Sequence, residues 1–198
     1  MGGNARATNK VTGRDTLAQK IPIKDIGRGN FIKKFVEIFE ELDRLFEAKY
    51  KRPLWENKKI LKNGLVFNGS TSFIMNPEVS DSDVIPYKPT SGDLDIMVKE
   101  SDKSDLWHLL DELEANPKFM KDVEYKGSNK LAVSAIGDQI NSVFEVTFGD
   151  IKSQSQVDFE FTQFEDEIIN GYIDDDDNLY DENKKPLNIK KSQVKVIN

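Results

Sequence analysis

Three aspartates in two short apolar segments have the types and spacing of a metal site. Asp93 and Asp95 stand in the segment Gly92-Asp93-Leu94-Asp95-Ile96, and Asp158 stands between Val157 and Phe159. Residues i and i+2 of a strand project from the same face, so Asp93 and Asp95 point their carboxylates toward one spot. Converging anions repel one another, and hard divalent cations neutralise them. If the strand of Asp158 lies beside that of Asp95, the pattern predicts a site for Mg²⁺ and substrate phosphates.

An upstream glycine–serine pair, Gly69-Ser70, complements these carboxylates. It follows a predicted strand at Leu65–Asn68 and opens a tight turn, ahead of a short helix at Phe73-Ile74-Met75. Glycine lets a backbone approach a phosphate, while backbone N–H groups and a serine hydroxyl donate hydrogen bonds to it. The pair and the aspartates together predict a metal–triphosphate site.

Simpler interpretations of these motifs stay open. Gly-Ser is common, and an Asp-x-Asp pair can be a charged strand end that faces water. Asp81-Ser82-Asp83 repeats the pattern inside a polar segment at 76–92, where a solvated loop is the favoured interpretation.

The acidic run Asp174–Asp177 begins like a calcium-binding loop. Leu179 and Lys185 stand where such a loop requires glycine and glutamate. A solvated turn before a terminal strand at Gln193–Ile197 is therefore predicted instead.

The elements that must position these residues indicate an α+β fold. An amphipathic helix of about five turns is predicted from an aromatic stripe at helical spacing, formed by Phe31, Phe35, Phe39, Leu42 and Phe46. A second helix is predicted from Ser104 through Asn116, and Leu94, Ile96 and Val98 alternate as in a strand. Alternation also predicts strands at Val123–Lys126, Lys130–Ile136, Ser142–Phe148 and Gln156–Phe161. The expected packing is a mixed or antiparallel sheet with helices on one face.

The amino-acid composition excludes several classes of protein. The chain has 198 residues, of which 37% are hydrophobic and 32% charged, and it has no cysteine. Disulfides, thiolate metal sites and cysteine nucleophiles are thereby excluded. No apolar run is long enough to span a bilayer and no signal peptide is evident, so a cytoplasmic protein without a membrane partner is expected.

Charge and pattern divide the chain into three predicted parts. Residues 1–28 are expected to form a flexible basic arm, with disorder over residues 1–20, although the whole chain has a formal net charge of −7. Residues 29–165 form the predicted catalytic domain, and 166–198 an acidic turn and C-terminal extension. The basic arm could steer the protein toward a phosphate backbone, or it could be a mobile, solvated tail.

These motifs resemble those of the nucleotidyltransferase superfamily typified by DNA polymerase beta. The matching segments are Phe67-Asn68-Gly69-Ser70, Asp93-Leu94-Asp95-Ile96 and Val157-Asp158-Phe159. The palm of the family X polymerases is more closely similar, through Ser91–Val98 and Tyr125–Leu131. The resemblance covers roughly residues 60–165.

The resemblance implies the polymerase beta-like fold and a reaction. Asp93 and Asp95 would ligate two Mg²⁺ ions, for which Mn²⁺ could substitute, and Asp158 would ligate the catalytic ion. Gly69 and Ser70 would hold the β- and γ-phosphates of a nucleoside triphosphate. A nucleoside monophosphate would move to an acceptor hydroxyl, such as a nucleic-acid 3′ end, a protein side chain or a small molecule, with release of pyrophosphate.

The sequence also departs from family X. Thr71–Met75 has no positive charge where basic residues usually follow Gly-Ser, and 40 residues follow Asp158. A minimal nucleotidyltransferase, or a catalytic fragment of a longer chain, is therefore expected rather than a template-dependent polymerase. The alternatives are a catalytically silent module of the same fold that binds nucleic acid or a partner protein, and an interaction module built on the Phe31–Phe46 helix.

Overall fold

A computed structural model of the protein describes residues 5–55, 66–129, 139–162, 172–173, 178–180 and 186–190. Its strands are β1 (Arg6–Thr8), β2 (Asp15–Leu17), β3 (Phe67–Asn68), β4 (Asp93–Lys99), β5 (Val123–Asn129), β6 (Gln139–Phe148), β7 (Ile151–Thr162), β8 (Tyr172–Ile173), β9 (Asn178–Tyr180) and β10 (Pro186–Lys190). Its helices are α1 (Ile23–Ile26), α2 (Arg28–Tyr50), α3 (Gly69–Ile74), α4 (Asp81–Val84) and α5 (Lys103–Ala115), with a 3₁₀ turn at Glu100–Asp102.

Seven strands form one mixed sheet in the order β2-β1-β5-β6-β7-β4-β3. The neighbours pair antiparallel, except that β4 and β7 run parallel from Asp93 opposite Gln156 to Lys99 opposite Thr162. Strands β8, β9 and β10 form a second, three-stranded antiparallel sheet. The predicted α+β class with a mixed sheet is confirmed.

The aromatic stripe of α2 belongs to the hydrophobic core. Five residues have no exposed surface, namely Phe31, Phe35, Phe39, Leu42 and Phe46. The ring of Phe39 lies 5.7 Å from that of Phe67 and 6.5 Å from that of Phe159, so α2 covers this face of the sheet. At the start of α5, the Lys103 ammonium lies 5.7 Å from the ring of Phe161, which projects from the same face. Both long helices therefore pack on one side of the sheet.

The N-terminal region is a β-hairpin, so the disorder predicted for residues 1–20 is wrong where the structure describes them. Strand β1 pairs with β2, and Thr8 at its end also pairs with Ser128 of β5. Gly127 permits this approach, because a Cβ at that position would lie 2.7 Å from the Thr8 carbonyl oxygen. The hairpin thus extends the sheet of the predicted catalytic domain (29–165), so β1 and β2 of the predicted arm (1–28) pair with that domain.

The hairpin gives little periodic signal in the sequence for a physical reason. Each of its strands has three residues, which is too short for an alternation to stand out. Its apolar contacts are made by two small residues, Ala7 and Ala18, which pack with Val143 from β6. Contacts between residues so far apart in the chain leave no trace in local spacing.

Arg28 holds the polar segment between α3 and β4 against α2. Its side chain is 4% exposed, and its Nε donates to the carbonyl oxygen of Ile74 at 2.8 Å. The same guanidinium donates to the carbonyl oxygens of Asn76 and Val79 and pairs with Asp81 at 3.0 Å. Asp81-Ser82-Asp83, predicted as a solvated loop, is exposed but belongs to the short helix α4.

Three sequence predictions lie outside the described residues. They are the strands at Lys130–Ile136 and Gln193–Ile197 and the turn at Asp174–Asp177. Over the residues that the structure does describe, no helix has both the length and the apolar character needed to cross a membrane.

Candidate metal centre

The three predicted aspartates meet on one face of the seven-stranded sheet. In the parallel β4–β7 pair, Asp95 lies directly opposite Asp158 and Asp93 lies opposite Gln156. Asp158 is 4% exposed, and the other two are half-buried. One carboxylate oxygen from each aspartate lies within 4.8 Å of the other two. Because Phe159 packs on α2 and strand side chains alternate, the triad projects from the face opposite α2.

Gly69 lies beside Asp95, at the junction of β3 and α3. Helix α3 begins at Gly69 itself, so the predicted tight turn is replaced by a direct strand-to-helix junction. The φ of Gly69 is 56°, a left-handed conformation that favours glycine, and a Cβ there would lie 3.5 Å from Asp95 Oδ2. The Thr71 hydroxyl oxygen accepts a hydrogen bond from the Asp95 backbone N–H at 2.9 Å. The Gly69-Ser70 pair is therefore held against Asp95, and Asp158 lies one strand farther away.

The triad has polar neighbours that were not among the predicted site residues. The register of the sheet aligns five polar residues in one row across β3, β4, β7, β6 and β5, namely Asn68, Asp95, Asp158, Asn141 and Asn129. Asn68 is 5% exposed, and its Nδ2 donates to Glu160 at 2.6 Å. Its Oδ1 is buried and has no hydrogen-bond partner within the described part of the chain.

Gln156 stands two residues before Asp158 on β7, so both side chains project from the same face. Its Nε2 donates to both carboxylate oxygens of Asp158 at 3.0 Å, and its Oε1 accepts a hydrogen bond from the Ala5 backbone N–H at 3.1 Å. Gln156 and Glu160 stand two residues before and after Asp158. Strand alternation around the predicted ligand Asp158 is the signal that could have identified both residues.

Burial and mutual repulsion raise the pKa values of Asp95 and Asp158 in the metal-free protein. Burial raises the pKa of Asp95 to about 7, and the charges of Asp93 and Glu160 add to the effect. Burial likewise raises the pKa of Asp158 to about 8; the hydrogen bond from Gln156 opposes this rise, and the charge of Asp95 reinforces it. Both shifts indicate negative charge that the protein itself does not compensate.

This set of donors fits a hard divalent cation. Octahedral Mg²⁺ holds oxygens at about 2.1 Å, which puts neighbouring ligands about 3–4 Å apart. The aspartate oxygens, within 4.8 Å of one another, need to move little to reach that separation. Carboxylate oxygens are the ligands that Mg²⁺ and Mn²⁺ prefer.

Replacing Gln156 with leucine is expected to weaken Mn²⁺ binding at pH 7 by about fivefold, since one hydrogen bond contributes about 1 kcal/mol. The affinity falls because the hydrogen bond from Gln156 lowers the pKa of Asp158. Without that bond the carboxyl group holds its proton more tightly and competes with the metal. The deficit should therefore shrink at about pH 9, where the proton competes less with the metal in both proteins.

The matched control is Gln154→Leu, two residues earlier on β7, where the amide donates to Glu145 rather than to the triad. Mn²⁺ affinity, measured by calorimetry at both pH values, should stay at the wild-type value in this control. Equal losses in the two variants would contradict a specific role for Gln156.

Comparison with protein-family models, with curated proteins and with solved structures finds no match for this chain.

Proposed function

We propose that the protein is a magnesium-dependent nucleotidyltransferase that moves a nucleoside monophosphate from a nucleoside triphosphate to an acceptor hydroxyl. The observation that carries the proposal is the convergence of Asp93, Asp95 and Asp158 beside Gly69. Carboxyl groups with strongly raised pKa values are typical of functional sites. The same residues carry the resemblance to the polymerase beta-like superfamily, which supports the same reaction and the same fold.

In the proposed reaction, the acceptor oxygen attacks the α-phosphorus, the bond from that phosphorus to the bridging oxygen breaks, and pyrophosphate leaves. Asp93 and Asp95 would hold two metal ions, and Asp158 would hold one of them and can take the hydroxyl proton. The backbone at Gly69 and the hydroxyl of Ser70 would donate to the β- and γ-phosphates. Bound Mg²⁺ would supply charge stabilisation at the entering and leaving oxygens. Positioning and charge stabilisation provide most of the rate of such transfers.

Transfer of label from an α-labelled nucleoside triphosphate tests this proposal. Wild-type protein with Mg²⁺ should label an acceptor from a panel of RNA, DNA, protein and small-molecule hydroxyls. The Asp93→Ala and Asp95→Ala proteins should not, because each lacks a carboxylate that would bind both ions. Equal label in wild type and variants would contradict the proposed function. Absence of metal-dependent triphosphate binding in calorimetry would favour the catalytically silent module instead.

A further inference from the structure

The position of Gly69 indicates from which side an acceptor would approach the triad. Gly69 lies against Asp95, on the β3 side of the triad, whereas Asp158 lies on the β7 side. In the proposed reaction the triphosphate tail is held at Gly69 and Ser70. The entering and leaving oxygens of phosphoryl transfer lie roughly in line on opposite sides of the phosphorus. The acceptor must therefore approach from the side of Asp158, over β7, β6 and β5.

The start of the N-terminal hairpin, residues 5–20, lies on that side, whereas its turn reaches the end of α5, where the Asn9 amide and the Lys10 backbone N–H donate to Glu114 at 3.1 and 2.9 Å. The Ala5 N–H donates to Gln156 Oε1 at 3.1 Å, and Gln156 Nε2 donates to Asp158 at 3.0 Å. A single side chain thus separates the backbone of Ala5 from the triad. Farther along the hairpin, Ala7 packs with Val143, which projects from the same face as Asn141.

The hairpin carries an excess of positive charge. Residues 5–20 contain one acidic residue, Asp15, and four basic residues, Arg6, Lys10, Arg14 and Lys20. The Arg6 side chain is 64% exposed and lies 3.7 Å from Asp15, while the other three basic residues are exposed. The chain as a whole has a formal net charge of −7, so this segment has the opposite sign to the chain as a whole.

We propose that the basic hairpin, through Arg6 and Arg14, binds the phosphate backbone of a single-stranded nucleic acid whose terminal hydroxyl is the acceptor at the triad. The inference rests on the proposed function and adds the class of acceptor and the surface that holds it. Exposed arginines bind phosphate oxygens in two-point contacts, and the resulting affinity is sequence-independent and salt-dependent. A neutral acceptor would gain nothing from this charge.

A second pair of basic residues, the exposed Lys33 and the half-buried Lys34, provides the matched control. Lys33 and Lys34 line a cavity of about 460 Å³ together with the acidic residues Glu37 and Asp122. Phe148 also lines this cavity and stacks on Phe31 of α2, so the cavity belongs to the helix-covered side of the sheet. Removing both lysines changes the net charge as much as removing two arginines, at a place away from the triad.

The experiment measures binding of the full chain to a fluorescent single-stranded RNA of about 12 nucleotides, a length within the range of single-strand sites. Arg6→Gln combined with Arg14→Gln should weaken binding about 25-fold at about 0.1 M NaCl. It should also flatten the slope of log K against log salt by about 1.4, the value for two phosphate contacts. Arg6→Lys combined with Arg14→Lys should keep most of the affinity, because the charge remains. Lys33→Ala combined with Lys34→Ala should bind as wild type does.

Triphosphate binding and label transfer separate the outcomes. Wild-type protein that binds Mg²⁺ and triphosphate but not the RNA would overturn the hairpin proposal and leave the proposed function standing. Equal weakening in the arginine and lysine double variants would also overturn it, since net charge alone would then explain binding. Failure of wild type to bind triphosphate with Mg²⁺ would instead remove the proposed function. Label on the RNA terminus in wild type, lost with the two arginines, is the expected result.

Discussion

Asp158→Asn is expected to lower metal-dependent label transfer by roughly a thousandfold or more, and at the same time to stabilise the metal-free protein near pH 8. The loss of activity follows from the loss of a metal ligand that can also accept the hydroxyl proton. Metal ions contribute several kcal/mol to charge stabilisation in a transition state, and each ~1.4 kcal/mol is a tenfold change in rate. The variant keeps nearly the same shape, so the effect isolates the charge.

The gain in stability comes from removing a buried carboxyl group that is costly to ionise. In the native protein the pKa of Asp158 is raised to about 8, above its ordinary value of 3.8. A carboxyl group raised in this way contributes stability below its unfolded pKa and loses that contribution as the pH rises through the folded pKa. Near pH 8 wild type begins to bury an ionised carboxylate beside Asp95, and the asparagine variant does not.

Asp83→Asn is the matched control, because Asp83 stands in another Asp-x-Asp segment of the chain and is exposed. Activity and stability, measured by label transfer and by thermal unfolding without metal at pH 5 and pH 8, should both stay near the wild-type values. If Asp158→Asn keeps its activity, the carboxylate triad is not the catalytic centre.

The part of the site that follows from strand alternation was predictable from the sequence. Alternation alone puts Asp93 and Asp95 on one face, and an aspartate between two large apolar residues is typical of a strand whose other face is buried. Alternation does not determine whether the strands of Asp95 and Asp158 are neighbours. The parallel β4–β7 pairing makes them neighbours, and the two aspartates are directly opposite each other.

The surroundings of the triad were less predictable, because contacts between distant parts of the chain create them. Ala5 and Gln156 are 151 positions apart, and no spacing rule connects them. The junction at Gly69 is a second example. A glycine–serine pair is typical of turns, but the backbone continues from β3 directly into α3, where Thr71 supports Asp95.

Mg²⁺ binding is expected to release up to two protons at about pH 6 and almost none above about pH 9. Asp95 and Asp158 have pKa values of about 7 and about 8, so both are largely protonated at the lower pH and must lose their protons to become ligands. Calorimetry in buffers with different ionisation enthalpies counts these protons directly. Binding should tighten as the pH rises from 6 to 8, because fewer protons then compete with the metal.

The same competition between protons and Mg²⁺ determines how the ion changes the free energy of unfolding. Without metal, the contribution of Asp95 and Asp158 is fully present below about pH 4 and is lost as the pH rises through 7 and 8. Mg²⁺ binds the folded, ionised site, so it should raise the unfolding temperature strongly near pH 8.5 and little near pH 5. Asp158→Asn leaves one carboxyl with a raised pKa, so it should release at most one proton and show a smaller rise. Tight Mg²⁺ binding with no proton release at pH 6 would contradict either the raised pKa values of Asp95 and Asp158 or binding of the ion at the triad.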